Sequence, residues 1–197
     1  LWWTKAARGG LVPVMSRLGS LCFDSGDRAG ARTWWEQAAE NGDADGMIGL
    51  GVLVEDPDET AAWLRKAADL GSGDAMFGLG KLAFEAAQHD EARDWWNKAA
   101  DVGDTESMLM LSMLAFMDAD REQERAWVER AVALGSASAM HRLAMLEGGT
   151  GNAELKVQWL EQAAALGHSE AMRDLGVHAW AQNDLDAATR WHDEAAS

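Results

Sequence analysis

Tryptophan returns along this chain at Trp2, Trp34, Trp63, Trp95, Trp127, Trp159 and Trp191, in steps of 32, 29, 32, 32, 32 and 32 residues. Methionine keeps the same stride at Met15, Met47, Met76, Met108, Met140 and Met172, with the same shortened second step. Two unrelated side chains sharing one period mark a repeat array, in which each unit buries its apolar face by stacking on its neighbours. The period divides the chain into units at roughly 11–42, 43–71, 72–103, 104–135, 136–167 and 168–197, after a partial unit at 1–10. With two prolines and no low-complexity tract to mark a linker, 1–197 reads as a single repeat domain.

The unit Asp74–Gly103 shows the element type. Met76, Leu79, Gly80 and Ala83 fall at i, i+3, i+4 and i+7, the stripe of an amphipathic helix, here helix A. Gln88-His89-Asp90 interrupts the pattern, and helix B follows with Ala92, Trp95, Trp96, Ala99 and Ala100. Gly42, Gly71, Gly103, Gly135 and Gly167 close each helix B, as residues able to take the left-handed cap conformation. Asp43, Ser72, Asp104, Ser136 and His168 then stand where the next helix A needs its N-cap. Gly19, Gly51, Gly80 and Gly176 inside helix A, with Ser112 and Ala144 in the other two units, predict close approach of helix B. The periodic tryptophans are expected to fill the space around these small residues. Trp180, off the beat, is expected at the surface.

The strings Trp95-Trp96-Asn97-Lys98-Ala99-Ala100-Asp101-Val102-Gly103 and Ala75-Met76-Phe77-Gly78-Leu79-Gly80 resemble the Sel-1-like repeat, of the tetratricopeptide-like superfamily. Trp63 to Gly71 and Ala171 to Gly176 match equally well, and the likeness runs over essentially the whole chain. It implies an all-α, right-handed solenoid of antiparallel helix-turn-helix repeats whose helix A segments line a concave face. It also implies an adaptor or scaffold rather than an enzyme. The chain departs from the pattern at Cys22, Val54, Ala83, Ala115, Glu147 and Ala179, where an aromatic is usual. Some members of the family are cysteine-rich and linked to β-lactam binding, a branch that a chain with one cysteine does not fit.

The net charge of −16 argues against nucleic acid and anionic lipid as partners. No apolar run approaches the roughly 18 residues of a membrane span. Cys22 alone forms no intrachain disulfide, which fits a reducing, cytoplasmic setting. The abrupt start Leu1-Trp2-Trp3 reads as the end of a repeat, and so as a piece of a longer protein. No catalytic constellation and no cofactor motif stands out. His168, Glu170 and His178 are the one grouping that could meet at a metal; with His168 at a cap position, no metal site is expected.

One helix A differs from the rest. Met108 to Met117 is apolar all round, and Leu109, Met113, Phe116 and Met117 lie roughly 130° from the intra-repeat stripe at 100° per residue. The same arc carries Ile48, Val52, Phe77, Phe84 and Met145, bordered by the carboxylates of Asp45, Asp74, Glu85 and Glu106. The expectation is a Met/Phe-lined peptide groove that takes a basic amphipathic segment with apolar anchors. The alternatives are a tightly curled array that buries this arc, and a self-associating structural or regulatory domain.

Overall fold

The computed structural model describes residues 11–196. Trp2 and the partial repeat expected at 1–10 lie outside the described residues. Twelve helices follow one another: α1 Val12–Asp24, α2 Arg28–Glu40, α3 Ala44–Leu53, α4 Pro57–Asp69, α5 Gly73–Glu85 and α6 His89–Asp101, then α7 Thr105–Met117, α8 Arg121–Ala133, α9 Ala137–Gly149, α10 Ala153–Ala165, α11 Ser169–Ala181 and α12 Leu185–Ala196. Odd-numbered helices are helix A and even-numbered ones helix B. The fold is an all-α helical repeat, and no strand occurs among the described residues. The chain separates into two compact units, Leu1–Asp104 and Thr105–Ser197. The first holds the hairpins α1–α2, α3–α4 and α5–α6, and the second α7–α8, α9–α10 and α11–α12. Among the described residues no helix is long and apolar enough to cross a membrane.

The punctuation works as its chemistry requires. Asp43, Ser72, Ser136 and His168 accept the backbone N–H three residues on, from Gly46, Ala75, Ala139 and Ala171. Each satisfies an amide that a helix start leaves unpaired. Gly42, Gly71, Gly103, Gly135 and Gly167 all have positive φ, between 78° and 95°. At the turns inside hairpins Gly26 and Gly151 take the same conformation, but Ala87, Ala119 and Asn183 are also driven there, at φ 59°, 59° and 62°. A β-carbon makes that region costly by about 1–2 kcal/mol.

The periodic tryptophans are not the deepest rings. Trp34, Trp63, Trp95, Trp127, Trp159 and Trp191 are all half-buried. The next residue goes to the core instead in five of the six described helices B, where Trp35, Leu64, Trp96, Val128 and Leu160 are buried, whereas His192 is exposed. The outer indole faces carry cations, with Lys66 Nζ 3.8 Å from the Trp63 ring centre, Lys98 Nζ 3.9 Å from that of Trp95, and Arg130 Cζ 5.3 Å from that of Trp127. An indole covered on one face by the array and on the other by an alkyl-ammonium fills space and interacts favourably with the charge.

This refines the account of the helix A glycines. A β-carbon on Gly19 would lie 2.4 Å from the Trp35 ring, and one on Gly49 would lie 2.3 Å from the ring's other edge. One on Gly80 would lie 2.3 Å from Trp96. At these places the glycine makes room for an indole, not for a helix backbone. Each indole N–H donates to a helix A carbonyl, Trp35 to Ser16 and Trp96 to Phe77. At Gly51 the nearest atoms are the Trp63 Cβ and Thr60, and at Gly176 the Ala188 carbonyl and the Trp191 Cβ, all at ordinary contact of 3.6 to 3.7 Å.

Candidate protein-interaction surface

Repeat register explains which side chains remain at the surface. Phe23, Phe84, Phe116 and Trp180 share one register, four residues after Gly19, Gly80, Ser112 and Gly176. In the first unit the aromatic leans on the core indole, with ring centres 5.7 Å apart for both Phe23–Trp35 and Phe84–Trp96. In the second unit the core indole is replaced by Val128 and His192. Phe116 is then 47 % exposed and Trp180 69 % exposed, the latter as its place off the beat suggests.

The nine apolar residues of the expected groove fall into three groups. Val52, Phe116 and Met117 are exposed. Phe77, Leu109 and Met113 are half-buried. Ile48 and Met145 are half-buried but pack against the clusters around Leu64 and Leu160, and Phe84 lies against Trp96, so these three contribute to packing within their units. None of the nine is fully buried. Asp45, Asp74, Glu85 and Glu106 are all exposed. Burial together with the neighbouring charges of Asp43 and Asp74 holds the Asp45 carboxyl above its ordinary range. Three carboxylates thus act on one another at successive helix A starts.

Sequence reasoning missed an ionic cluster in the second unit. Glu124 is 1 % exposed, yet it accepts from Arg121 Nη1 at 2.8 Å and from Arg142 Nη2 at 3.0 Å. Glu147, also buried, accepts from Arg125 Nη2 at 2.6 Å, and Arg125 Nε reaches Glu129 at 2.7 Å. Arg121 and Arg142 also lie over the Phe116 ring, 4.4 and 6.0 Å from its centre. The guanidiniums beside this aromatic are thus already paired with carboxylates. A cavity of about 470 Å³ opens here, lined by Arg121, Glu124, Arg125, Met145, Leu146 and Thr150 among others. One signal was legible: Glu124 and Glu147 occupy registers that hold Ala31 and Ala92, and Cys22 and Ala83, in the first unit.

The Sel1 repeat model matches residues 13–43, 46–72, 73–104 and 137–168, well over half of the chain. The chain belongs to the Sel1 repeat family. Solved structures of similar fold include c5321, a protective antigen of uropathogenic Escherichia coli strains displaying an SLR fold, at 25 % identity and TM-score 0.72. That match covers 98 % of this chain and 47 % of c5321, so the chain spans about half of that protein. A Sel1 repeat protein from Oxalobacter formigenes matches at 23 % identity and TM-score 0.75, over 93 % of this chain and 86 % of that one. Pseudomonas aeruginosa PilF matches at 18 % identity and TM-score 0.66, over 94 % and 90 %. No curated protein matches the chain in sequence. Sel1 and related helical repeats generally act as non-enzymatic scaffolds in protein–protein interaction.

Proposed function

We propose that 1–197 works as one interaction module, which binds a segment of a protein partner on its helix A surfaces. The segment supplies apolar anchors and basic residues. The observation that carries this reading is the adjacent pair Phe116 and Met117 at the end of α7, 47 % and 58 % exposed, on one arc with Leu109 and Met113. A contiguous apolar patch of this kind on a repeat protein marks a place for a partner. Methionine adapts its shape to anchors of varied outline. The basic character of the partner is argued from Asp43, Asp45 and Asp74: after burial, the charges of Asp43 and Asp74 raise the Asp45 pKa, and an added cation relieves that repulsion. A cytoplasmic location is part of the same reading.

The test uses a panel of labelled peptides with basic residues and apolar anchors. Binding is measured for the intact chain and for the double variant Met113→Glu with Phe116→Glu. Retained helicity by circular dichroism with lost binding supports the reading; loss of the fold shows that this arc is core. Binding that does not weaken between 0.05 and about 0.5 M salt removes the acidic contribution, because surface charges are screened within about 10 Å at 0.1 M.

Self-association is the second reading, favoured by the last hairpin. Val177 and Trp180 stand exposed there and, with Arg173, Gly176, Ala188 and His192, line a cavity of about 370 Å³. Sedimentation at several concentrations decides it, a monomer throughout excluding this reading.

A further inference from the structure

Two histidines from different helices of the second unit meet on its helix A side. His141 stands on α9 at the register held by Phe77 in α5 and Leu109 in α7. His168 takes the N-cap place of α11 that Ser72 and Ser136 take elsewhere. Their rings stack, with centres 4.9 Å apart. Glu170 brings a carboxylate to the same point, and one donor atom from each of His141, His168 and Glu170 lies within 4.8 Å of the other two. Asp174, on the next turn of α11, has Oδ2 2.9 Å from His141 Nε2. We propose that His141, His168 and Glu170 bind one divalent transition-metal ion of the zinc class, with Asp174 orienting the His141 ring.

The donor set selects the ion. Two imidazole nitrogens and one carboxylate suit zinc and its neighbours, whereas magnesium and calcium prefer all-oxygen shells. Three protein donors leave a fourth position for water. His141 Nε2–H donating to Asp174 leaves the lone pair on Nδ1, the usual arrangement in which an outer carboxylate fixes the tautomer of a metal-bound imidazole. Burial, followed by the neighbouring His141, holds the His168 pKa below its ordinary value. Zinc–nitrogen bonds of about 2.0–2.1 Å require donors roughly 3.3 Å apart. Closing from 4.8 Å needs Glu170, which is exposed, to rotate and the two half-buried imidazoles to turn out of their stack. The lone pairs of stacked rings lie in near-parallel planes. Two costs oppose binding: Glu170 gives up an exposed ion pair with Arg173 at 3.4 Å, a small loss, and the cap of α11 is displaced. His168 Nδ1 accepts the Ala171 N–H at 3.2 Å, and a neutral ring has a single lone pair, so the ion displaces this cap. Losing a cap weakens binding about fivefold, small against the bonds gained. The sequence-based expectation grouped His168 and Glu170 with His178; instead His178 pairs with Gln182 at 2.9 Å, and His141 takes its place.

The chain supplies its own fold-preserving controls. His168→Ser installs the cap used at Ser72 and Ser136, and His141→Leu installs the residue found at Leu109. Calorimetric titration with Zn²⁺ and thermal melts with and without the ion test the proposal on the intact chain. The expected result is one ion per chain and a zinc-dependent rise in Tm. His141→Leu and His168→Ser are each expected to weaken binding at least tenfold, and Asp174→Asn about tenfold, the usual effect of removing an outer partner. His178→Ala leaves binding unchanged. The proposal is overturned if the unaltered chain shows no saturable binding, or if His141→Leu binds as well as the parent while circular dichroism shows both folded.

Discussion

The two units solve one packing problem in different ways. In the first, a large ring is laid on bare backbone: Trp35 lies between Gly19 and Gly49, and Trp96 lies on Gly80. In the first two hairpins of the second, the same helix A register carries Ser112 and Ala144, and the core residues of helix B shrink to Val128 and Leu160. The registers that hold the uncharged Ala31, Thr60 and Ala92, and Cys22, Val54 and Ala83, in the first unit then carry Glu124 and Glu147, neutralised by arginines. In these hairpins volume and polarity change together, whereas α3–α4 keeps Gly51 with the smaller Leu64. The exchange also decides exposure. Phe84 has an indole to lean on, whereas Phe116, in the hairpin whose core residue is Val128, remains at the surface.

The largest expected effect separates the two packings. Trp96→Ala destabilises the first unit by about 3–5 kcal/mol, while Val128→Ala costs the second about 2 kcal/mol. Urea unfolding of both variants checks the ratio. If Gly80 and Trp96 act as a pair, Gly80→Ser and Trp96→Val together cost at least about 1 kcal/mol less than the sum of the single changes. Additivity would break the comparison at its root.

Glu124→Ala probes the ionic set. It removes two charge-assisted hydrogen bonds from a buried carboxylate, but Arg121 and Arg142 keep contact with water, which places the loss at about 1–2 kcal/mol. A change of opposite sign is expected at the turns. Ala87→Gly and Ala119→Gly relieve a left-handed alanine and raise stability by about 0.5–1 kcal/mol each, after the entropy of the freer chain is subtracted. A fall in Tm for either would show that the turn is held by something other than its backbone angles.

The smallest effect lies at the acidic helix starts. The Asp45 pKa is raised in the folded chain, so the folded state favours the protonated carboxyl. The stability tied to this group is complete at low pH and is lost as pH rises through the carboxylate range. Asp45→Asn is expected to raise stability slightly at pH 7, by less than about 0.5 kcal/mol, and not at pH 3. The same variant is expected to weaken a basic peptide. A variant less stable at pH 7 would mean that Asp45 has a cation partner within the fold.

Much of this architecture could be read in one dimension. The shared stride of Trp and Met, the Gly–Asp and Gly–Ser junctions and the helical spacing of Met76 to Ala83 sufficed to name helices, caps and repeat register, because each rests on contacts within a few residues. The candidate surface was legible only in part. Spacing placed Leu109, Met113, Phe116 and Met117 on one arc, but did not tell that Ile48, Phe84 and Met145 on the same arc would lean inward. Three further outcomes were left to tertiary structure: that Trp96 rather than Trp95 enters the core, that Glu124 is buried with two arginines, and that His141 meets His168. Each depends on how one helix is rotated against another 18 to 33 residues away in the chain. A periodic pattern fixes which residues share a face. The rotation that aims the face is set by the volumes and charges of everything packed against it.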